Sequence, residues 1–388
     1  LDIHAVIDAA RTAGADALHP GYGFLSENAA LARACRSAGI LFVGPAAETL
    51  DAVGDKLNAR RHAQAAGVPV VPGGAAESLE EAMAVAQRTG WPILIKAVGG
   101  GGGRGLRRVD DAAGLQEQLE LAVTEARGAF GDPRVYVERF VPDGRHVEVQ
   151  ILGDGHEVVH LGTRDCSVQR RYQKLIEEAP APLLASPVAA RMVDSAVALA
   201  RQLHFCGAGT VEFLVDAARD EFYFLEVNAR IQVEHPVTEM IMGIDLIAEQ
   251  LAVTAGVRLR DIRTKIGTRG HAIECRINAE DVARQFRPSP GRITRAVFPA
   301  GAGIRVDTHV EAGSVIPPFY DSLLAKIIVH AETRAAAVER MRAALIGCRI
   351  EGINVTTSLH ERILADPEFI RGGVDTGYLG RLLARAAA

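Results

Sequence analysis

The residues between Thr210 and Glu239, TVEFLVDAARDEFYFLEVNARIQVEHPVTE, carry a dense set of groups able to do chemistry. Two runs, Thr210 to Val215 and Phe222 to Val227, flank a polar turn around Ala217 to Asp220, which is the pattern of a β-hairpin. A loop centred on Arg219 sets Glu212 across from Glu226, with their Cβ atoms roughly 5 Å apart on one face. Two carboxylates so placed repel, and a cation between them turns the liability into a site. Mg²⁺, which takes oxygen ligands and one or two carboxylates beside a nucleotide phosphate, fits best. If the extended alternation continues, Glu226, Asn228, Arg230, Gln232 and Glu234 share a face, Ile231 and Val233 share the other, and Pro236 keeps His235 extended. Those side chains supply what a metal, an anion and a general base require. A solvated sheet face also alternates, but the flanking apolar runs argue for burial, where charges need partners.

Upstream, the apolar strand Trp91 to Lys96 runs into AVGGGGGRGLRRV. Five glycines, Gly99 to Gly103, remove every Cβ and let backbone N–H groups approach phosphates closely. No G-K-[ST] follows, so this is not a P-loop. The following LRRV reads as a strand, against a dinucleotide fingerprint. Glycine runs also serve as linkers. Lys96 at the foot of the run favours a flap that closes over a nucleotide. Downstream, Arg164, Arg170, Arg171 and Lys174 in GTRDCSVQRRYQKLIEEAPAP form a positive cluster. Such a run is often a solvated face, but beside the carboxylate strand it reads as the anion-binding half of the site.

The elements that position these groups follow from the rest of the chain. With 388 residues and 48% hydrophobic content, it can bury large cores in two or three lobes. The net charge of −5 gives no general grip on nucleic acid or an anionic membrane. Five separated cysteines (Cys35, Cys166, Cys206, Cys275, Cys348), none in C-x-x-C, point to reduced thiols. No apolar run of about 18 residues and no leader pattern is present, so a soluble protein is expected, cytoplasmic or of an organelle matrix such as the mitochondrial one. Ile3 to Ala13, Asp16 to Leu18, Ala29 to Ala38 and Ile40 to Val43 alternate helix and strand as a doubly wound lobe does. The chain opens in a helix without the strand that should precede it, so part of that lobe is expected to be missing. The fold class is α/β (α+β). Cys166, Cys275, His204, His235 and His271 read as packed structural residues rather than ligands.

The segment EVNARIQVEHPVTEMI resembles the signature of biotin carboxylases, the ATP-grasp components of biotin-dependent carboxylases, and HPGYGFLSEN (His19 to Asn28), VYVERF and CSVQRRYQK resemble the same family in order. The resemblance implies an ATP-grasp fold: a partial N-terminal doubly wound lobe (residues 1–48), a helical linker (49–72), a small α/β lid (73–140) and a large mixed C-terminal lobe (141–388). It implies ATP held by Lys56, Lys96, Gly102, Gly103, Glu138, Arg139, Phe140, Val141, His146, Gln169 and Tyr172, the last standing where many members carry histidine. It implies Mg²⁺ (or Mn²⁺) on Glu212, Glu226 and Asn228, and bicarbonate on Arg230, Gln232, Val233 and Lys174. Glu234 is the implied general base, with Arg276 facing the biotin ring and Arg230 and Lys174 catalytic beside them.

The implied reaction carboxylates biotin on a carrier through carboxyphosphate. Without an A-M-K-M sequence, the biotinylated carrier is expected elsewhere, with a carboxyltransferase subunit as further partner and a homodimer among the implied assemblies. GGVDTGYLGRLL resembles acyl-CoA carboxylase α chains somewhat more than stand-alone acetyl-CoA enzymes. An ATP-grasp carboxylate-amine ligase is the rival enzyme reading, disfavoured by the R-x-Q-x-E strand and Arg276. An inactive fragment acting only in assembly is the non-enzyme reading.

Overall fold

The structure, a computed structural model, describes residues 1–99, 105–262 and 267–387. The glycines Gly102 and Gly103 lie outside the described residues. At the start, α1 (Ile3–Thr12), β1 (Ala17–Leu18), α2 (Ala29–Ala38) and β2 (Leu41–Phe42) form a small unit in which β1 and β2 pair in parallel. The side chain of Asp2 caps α1 and that of Asn28 caps α2, each satisfying a backbone N–H left over at a helix start. Two helices follow, α3 (Ala47–Gly54) and α4 (Lys56–Ala65). Asp55 caps α4 by accepting from the Asn58 N–H, which fixes Lys56 as its first helical residue.

The glycine-rich stretch belongs to a four-stranded antiparallel sheet. Its strands are β3 (Gly73–Ala76), β4 (Ile93–Ala97), β5 (Leu106–Val109) and β6 (Val135–Arg139), in the spatial order β3-β6-β4-β5. Helices α5 (Leu79–Thr89) and α6 (Leu115–Phe130) complete the unit. Alternation decides its faces: Ile93, Ile95, Val135 and Val137 pack with Val85 and Leu115, so Lys96 projects from the other face.

The main body is an eight-stranded antiparallel sheet. It contains β7 (Arg145–Asp154), β8 (Val158–Arg170), β9 (Gln173–Ala179), β10 (Cys206–Asp216), β11 (Glu221–Asn228), β12 (His271–Asn278) and the strands Ile304–Thr308 and Leu323–Ala331. Their order is β11-β10-β7-β8-β9-β12, then Leu323–Ala331, then Ile304–Thr308. On one face Val147, Val149, Ile151, Val211 and Phe213 pack beneath α7 (Ser186–Gln202). Because side chains alternate, Glu148 and Glu212 are forced onto the opposite face. Further along that face, Leu152, Ala179, Ala272 and Ile328 are covered by Val237, Ile241 and Met242 of α8 (His235–Met242). The sheet therefore has a dry end under α8 and a polar end that opens into a cleft. No helix among the described residues is long and apolar enough to cross a membrane.

The structure corrects one sequence expectation here. His235 is not extended: it begins α8, with Pro236 in the first turn. Proline is accommodated there because the first N–H groups of a helix need no intrahelical acceptor. The strand ends at Asn228, and Glu234 occupies the cap position with φ −83° and ψ 8°.

Candidate active site

The cleft between the four-stranded unit and the open end of the large sheet has a volume of about 1610 Å³. It is lined by every described residue of the implied nucleotide, metal, bicarbonate and biotin sets, from Lys56 and Lys96 through Glu212 and Glu226 to Glu234 and Arg276. Its floor is a single rung across four strands. Glu226 pairs with Glu212, Glu212 with Glu148, and Glu148 with Arg164. The pairing of Glu212 with Glu226 read from the sequence is the one formed, but it is reached through a β-bulge: nearer the turn Val215 pairs with Phe222 and Asp216 with Glu221, and the register shifts between Phe213 and Glu212. Glu148 was missed, although it lies two residues beyond His146 on the same face of β7, and that spacing was the available signal.

Three carboxylates side by side, Glu148 and Glu212 buried and Glu226 partly so, demand cations. Lys174 supplies one: its Nζ lies 2.7 Å from Glu148 Oε2, 2.9 Å from Glu212 Oε1 and 2.5 Å from Glu234 Oε1. Burial alone would lower the Lys174 pKa, but the three carboxylates outweigh it and hold the ammonium well above its ordinary range. Arg164 supplies a second, donating to Glu148 at 2.5 Å and to Gln150, Thr210, Thr238 and Gln232. His146 Nε2 lies 3.0 Å from Glu212 Oε2, and its Nδ1 is 2.7 Å from the Gln169 amide. Burial works against its protonation, and the Glu212 charge reverses that, so its pKa is raised.

The expected positive cluster is thus divided by the fold. Arg164, the last member of the rung, is fully buried and holds Glu148 rather than a substrate anion. Arg170 stacks over the Phe286 ring at 4.1 Å and does not line the cleft. Of the four, only Arg171, in the turn between β8 and β9, and Lys174, at the start of β9, line the cleft. Arg171 and Tyr172 form the two-residue turn between β8 and β9, with φ of 48° and 65°. Positive φ at both positions is what a tight hairpin of this twist requires, and it leaves Tyr172 half exposed against the cleft.

The residues after β11 reach the cleft by different means from those expected. Glu226, Asn228, Arg230, Gln232 and Glu234 do share it, but so does Val233, which the strict alternation sends elsewhere. The turn into α8 breaks the alternation, and Lys326 Nζ donates to the Val233 carbonyl at 2.8 Å. Arg230 Nε donates to Glu27 at 2.9 Å, and Glu27 also accepts from the Ala229 N–H. Nothing in the sequence pattern marked Glu27 or Lys326.

Glu234 sits between two cations. Its Oε1 accepts from Lys174 and its Oε2 from Arg276 Nη2 at 2.9 Å. Burial would raise its pKa; Lys174, Arg276 and Arg164 instead hold it far below the ordinary carboxylate range. Glu226 is raised, first by burial and then by the adjacent Glu212 charge, whereas Glu212 lies well below its ordinary value because Lys174 and His146 outweigh its burial.

At the other end of the cleft, Lys96 Nζ is 2.5 Å from Glu138 Oε1. Burial lowers the Lys56 pKa despite Glu226 nearby. The Phe140 N–H donates to the Pro92 carbonyl, and Val141 packs with Val71 and Tyr223. Arg139 turns to the Tyr223 hydroxyl at 2.5 Å. The thiols of Cys166 and Cys275 are buried and pushed well up by burial, as inert structural cysteines are.

The donor set suits a divalent cation beside a nucleotide. Glu212 and Glu226 are oxygen donors held side by side across the hairpin despite their mutual repulsion. Asn228 completes the set, its amide lying between Glu212 and Arg230.

The chain matches three family models in succession. These are the biotin carboxylase N-terminal domain over residues 1–50, the carbamoyl-phosphate synthase L chain ATP-binding domain over 55–262, and the biotin carboxylase C-terminal domain over 274–381. It is 49% identical to the biotin carboxylase of Nostoc sp. over 98% of this chain and 85% of that protein. The chloroplastic biotin carboxylase of Arabidopsis thaliana is 50% identical over 98% and 71%. The structure resembles the β,γ-ATP complex of biotin carboxylase from Campylobacter jejuni with a TM-score of 0.94 and 45% identity, covering 98% and 85% of the two chains. It also resembles the biotin carboxylase domain of the Hydrogenobacter thermophilus 2-oxoglutarate carboxylase, solved as a dimer with MgADP, ADP and bicarbonate. There the TM-score is 0.93 at 44% identity, over 98% of this chain and 84% of that one.

Proposed function

The chain belongs to the biotin carboxylase family, and on that premise we propose how its own residues divide the ATP- and bicarbonate-dependent carboxylation of biotin. The observation that carries the assignment is Glu234, held between Lys174 and Arg276 at the junction of a carboxylate-lined end and an arginine end of one cleft.

Bicarbonate is held by Arg230, Gln232, the Val233 backbone and Lys174, against the γ-phosphate of ATP. Lys56, Lys96 and the Gly102–Gly103 segment neutralise the phosphates, while Glu138, Arg139, Phe140 and Val141 line the base, with His146, Gln169 and Tyr172 beside them. When bound at Glu212, Glu226 and Asn228, Mg²⁺ (or Mn²⁺) offsets the negative charge of phosphoryl transfer.

Glu234 is the general base. With both cations on it, it is a poor one, because a useful base has a pKa near the working pH. The arriving anion competes for Lys174, and the biotin carbonyl competes for Arg276. Losing those contacts raises the basicity of Glu234 when substrate is in place. Its oxygen then takes the bicarbonate proton as the oxyanion attacks the γ-phosphorus, giving carboxyphosphate and ADP. Carboxyphosphate breaks down to CO₂ and phosphate, and the phosphate removes the proton from the biotin ureido nitrogen, which attacks CO₂. Arg276 stabilises the oxyanion that develops on the ureido carbonyl.

The wider setting follows from the same reading. A biotinylated carrier delivers the biotin, a carboxyltransferase uses the carboxybiotin, and the GGVDTGYLGRLL segment favours an acyl-CoA acceptor. The dimer of the Hydrogenobacter domain supports a homodimer. Residues 1–48, 49–72, 73–140 and 141–388 act as first lobe, linker, lid and main lobe. The compartment is the cytoplasm, or an organelle matrix holding the same substrates. The test is ADP release by the purified chain with Mg-ATP, with and without bicarbonate and free biotin. A rate that needs bicarbonate and rises with biotin is the expected result; ATP cleavage indifferent to both removes the assignment.

A further inference from the structure

Beneath Arg276 lies a second pair of glutamates. Glu177 on β9 and Glu274 on β12 stand directly opposite each other across neighbouring strands, and both are fully buried. Two positions along the same face are Ala179 and Ala272, and Ile328 faces Glu274 from the other side, so the pair lies where the polar end of the sheet meets its dry end. Glu177 Oε1 accepts from Arg276 Nε at 2.6 Å, the same guanidinium whose Nη2 reaches Glu234. Neither Glu177 Oε2 nor either oxygen of Glu274 has a hydrogen-bond donor among the described residues.

Three buried acceptor oxygens on adjacent carboxyl groups, with no donor, are an expensive arrangement if both groups are ionised. One proton removes most of the difficulty. It turns one acid into a donor for the other, cancels one of two like charges, and leaves a single negative charge against Arg276. We propose that Glu177 and Glu274 share one proton, and that the pair is a positioning element holding Arg276 aimed at Glu234 and at the biotin carbonyl. This rests on Arg276 serving the biotin half of the reaction.

The charged groups around the pair are consistent with a single shared proton. Lys174 on β9, Arg276 on β12, Lys326 on Leu323–Ala331 and Glu234 before α8 all face it. Lys326 is already engaged by the Val233 carbonyl and by Asp307 at 3.3 Å. On α8, His235 bonds the Gln232 carbonyl and Glu239 bonds Arg305, so neither supplies a donor to the pair. The thiols of Cys166 and Cys275 are buried nearby, Cys275 packed in the apolar cluster on the other face of β12. Burial raises Glu177 to about 7 and Glu274 well above its ordinary value, in the direction that retains a proton near neutrality.

The experiment has two readouts on the full chain. Infrared spectra at neutral pH should contain a protonated-carboxyl C=O band that Glu274→Gln removes and Glu177→Gln shifts, since the acceptor becomes an amide. Steady-state kinetics with free biotin should give a KM that rises on the order of tenfold, about one lost charged hydrogen bond, as the pair loses its proton above neutral pH. In Glu274→Gln, whose amide has no proton to lose over that range, this rise should be absent. Bicarbonate-dependent ATP cleavage without biotin should follow the same pH profile in both proteins. A band unchanged in both variants overturns the shared proton, and the Glu177→Gln spectrum decides alone if Glu274→Gln does not fold. Superimposable biotin KM profiles for the wild type and Glu274→Gln overturn the positioning role. A wild-type chain with no bicarbonate-dependent turnover defeats the functional reading instead and leaves the infrared test standing.

Discussion

The large sheet carries two cross-strand glutamate pairs, Glu212 with Glu226 and Glu177 with Glu274, and relieves their repulsion differently. The first faces the wide part of the cleft, where Lys174 and His146 reach Glu212 and leave Glu226 with its pKa raised. That pair lines the cleft, where the divalent cation proposed for it would sit. The second is sealed between strands near the apolar end, where an exchangeable ion has no place, and relies on Arg276 and a proton. Identical residue pairs thus take different counter-charges according to access to the cleft. Glu234 connects them, bound to Lys174 on one side and Arg276 on the other.

Removing that connection should have the largest effect. Glu234→Gln is expected to lower bicarbonate-dependent ADP release by about 10²–10⁴-fold, the range for loss of a general base, while nucleotide affinity measured by equilibrium binding stays close to wild type. Near-normal turnover would show that another group takes the proton.

Arg276→Ala strikes the arginine end and frees one oxygen of Glu234. Biotin carboxylation should fall on the order of 10²–10³-fold, as when an oxyanion donor is lost, and bicarbonate-dependent ATP cleavage should fall much less. Equal losses in the two assays would erase the distinction between the ends. Glu226→Gln addresses the open end. The Mg²⁺ concentration for half-maximal turnover should rise roughly 10–100-fold, a typical penalty for disturbing a metal site, with little change in the KM for biotin; the reverse pattern would mean that the two pairs are one unit.

The smallest effect is on stability. The folded-state pKa of Glu177, about 7, lies above its ordinary value of 4.5. Protonation therefore favours the folded form, and this contribution is complete below the ordinary pKa and is lost as pH rises through about 7. The melting temperature of the wild type should drop by roughly a few degrees more than that of Glu177→Gln between pH 6 and pH 8. Parallel curves for the two proteins would place the Glu177 titration outside that window.

The first pair was legible because a hairpin is local, so its two strands must lie side by side; a bulge between Glu212 and Phe213 then adjusts the register set at the turn and brings Glu212 against Glu226. The second was not, since β9 and β12 are far apart in the chain and meet only when the whole sheet assembles. The run of basic residues shows the same limit. It holds four neighbouring positive charges, yet the partners met across strands and the turn at Arg171 and Tyr172 send them to a buried network, an aromatic ring and the cleft. Pro236 misled in the opposite direction, because a proline that keeps a strand extended serves equally well in the first turn of a helix.

What the sequence determined by itself was the inventory and the local geometry: which groups can bind a cation, an anion or a phosphate, and which of them share a hairpin face. Strand periodicity is a property of consecutive residues, so it can be read from them. Tertiary structure alone decided that Glu148 lies beside Glu212, that Glu27 holds Arg230, and that Glu177 and Glu274 stand together under Arg276. The physical reason is that the charge state of a buried group depends on its nearest partners, and for these residues those partners come from strands and loops that only packing brings together.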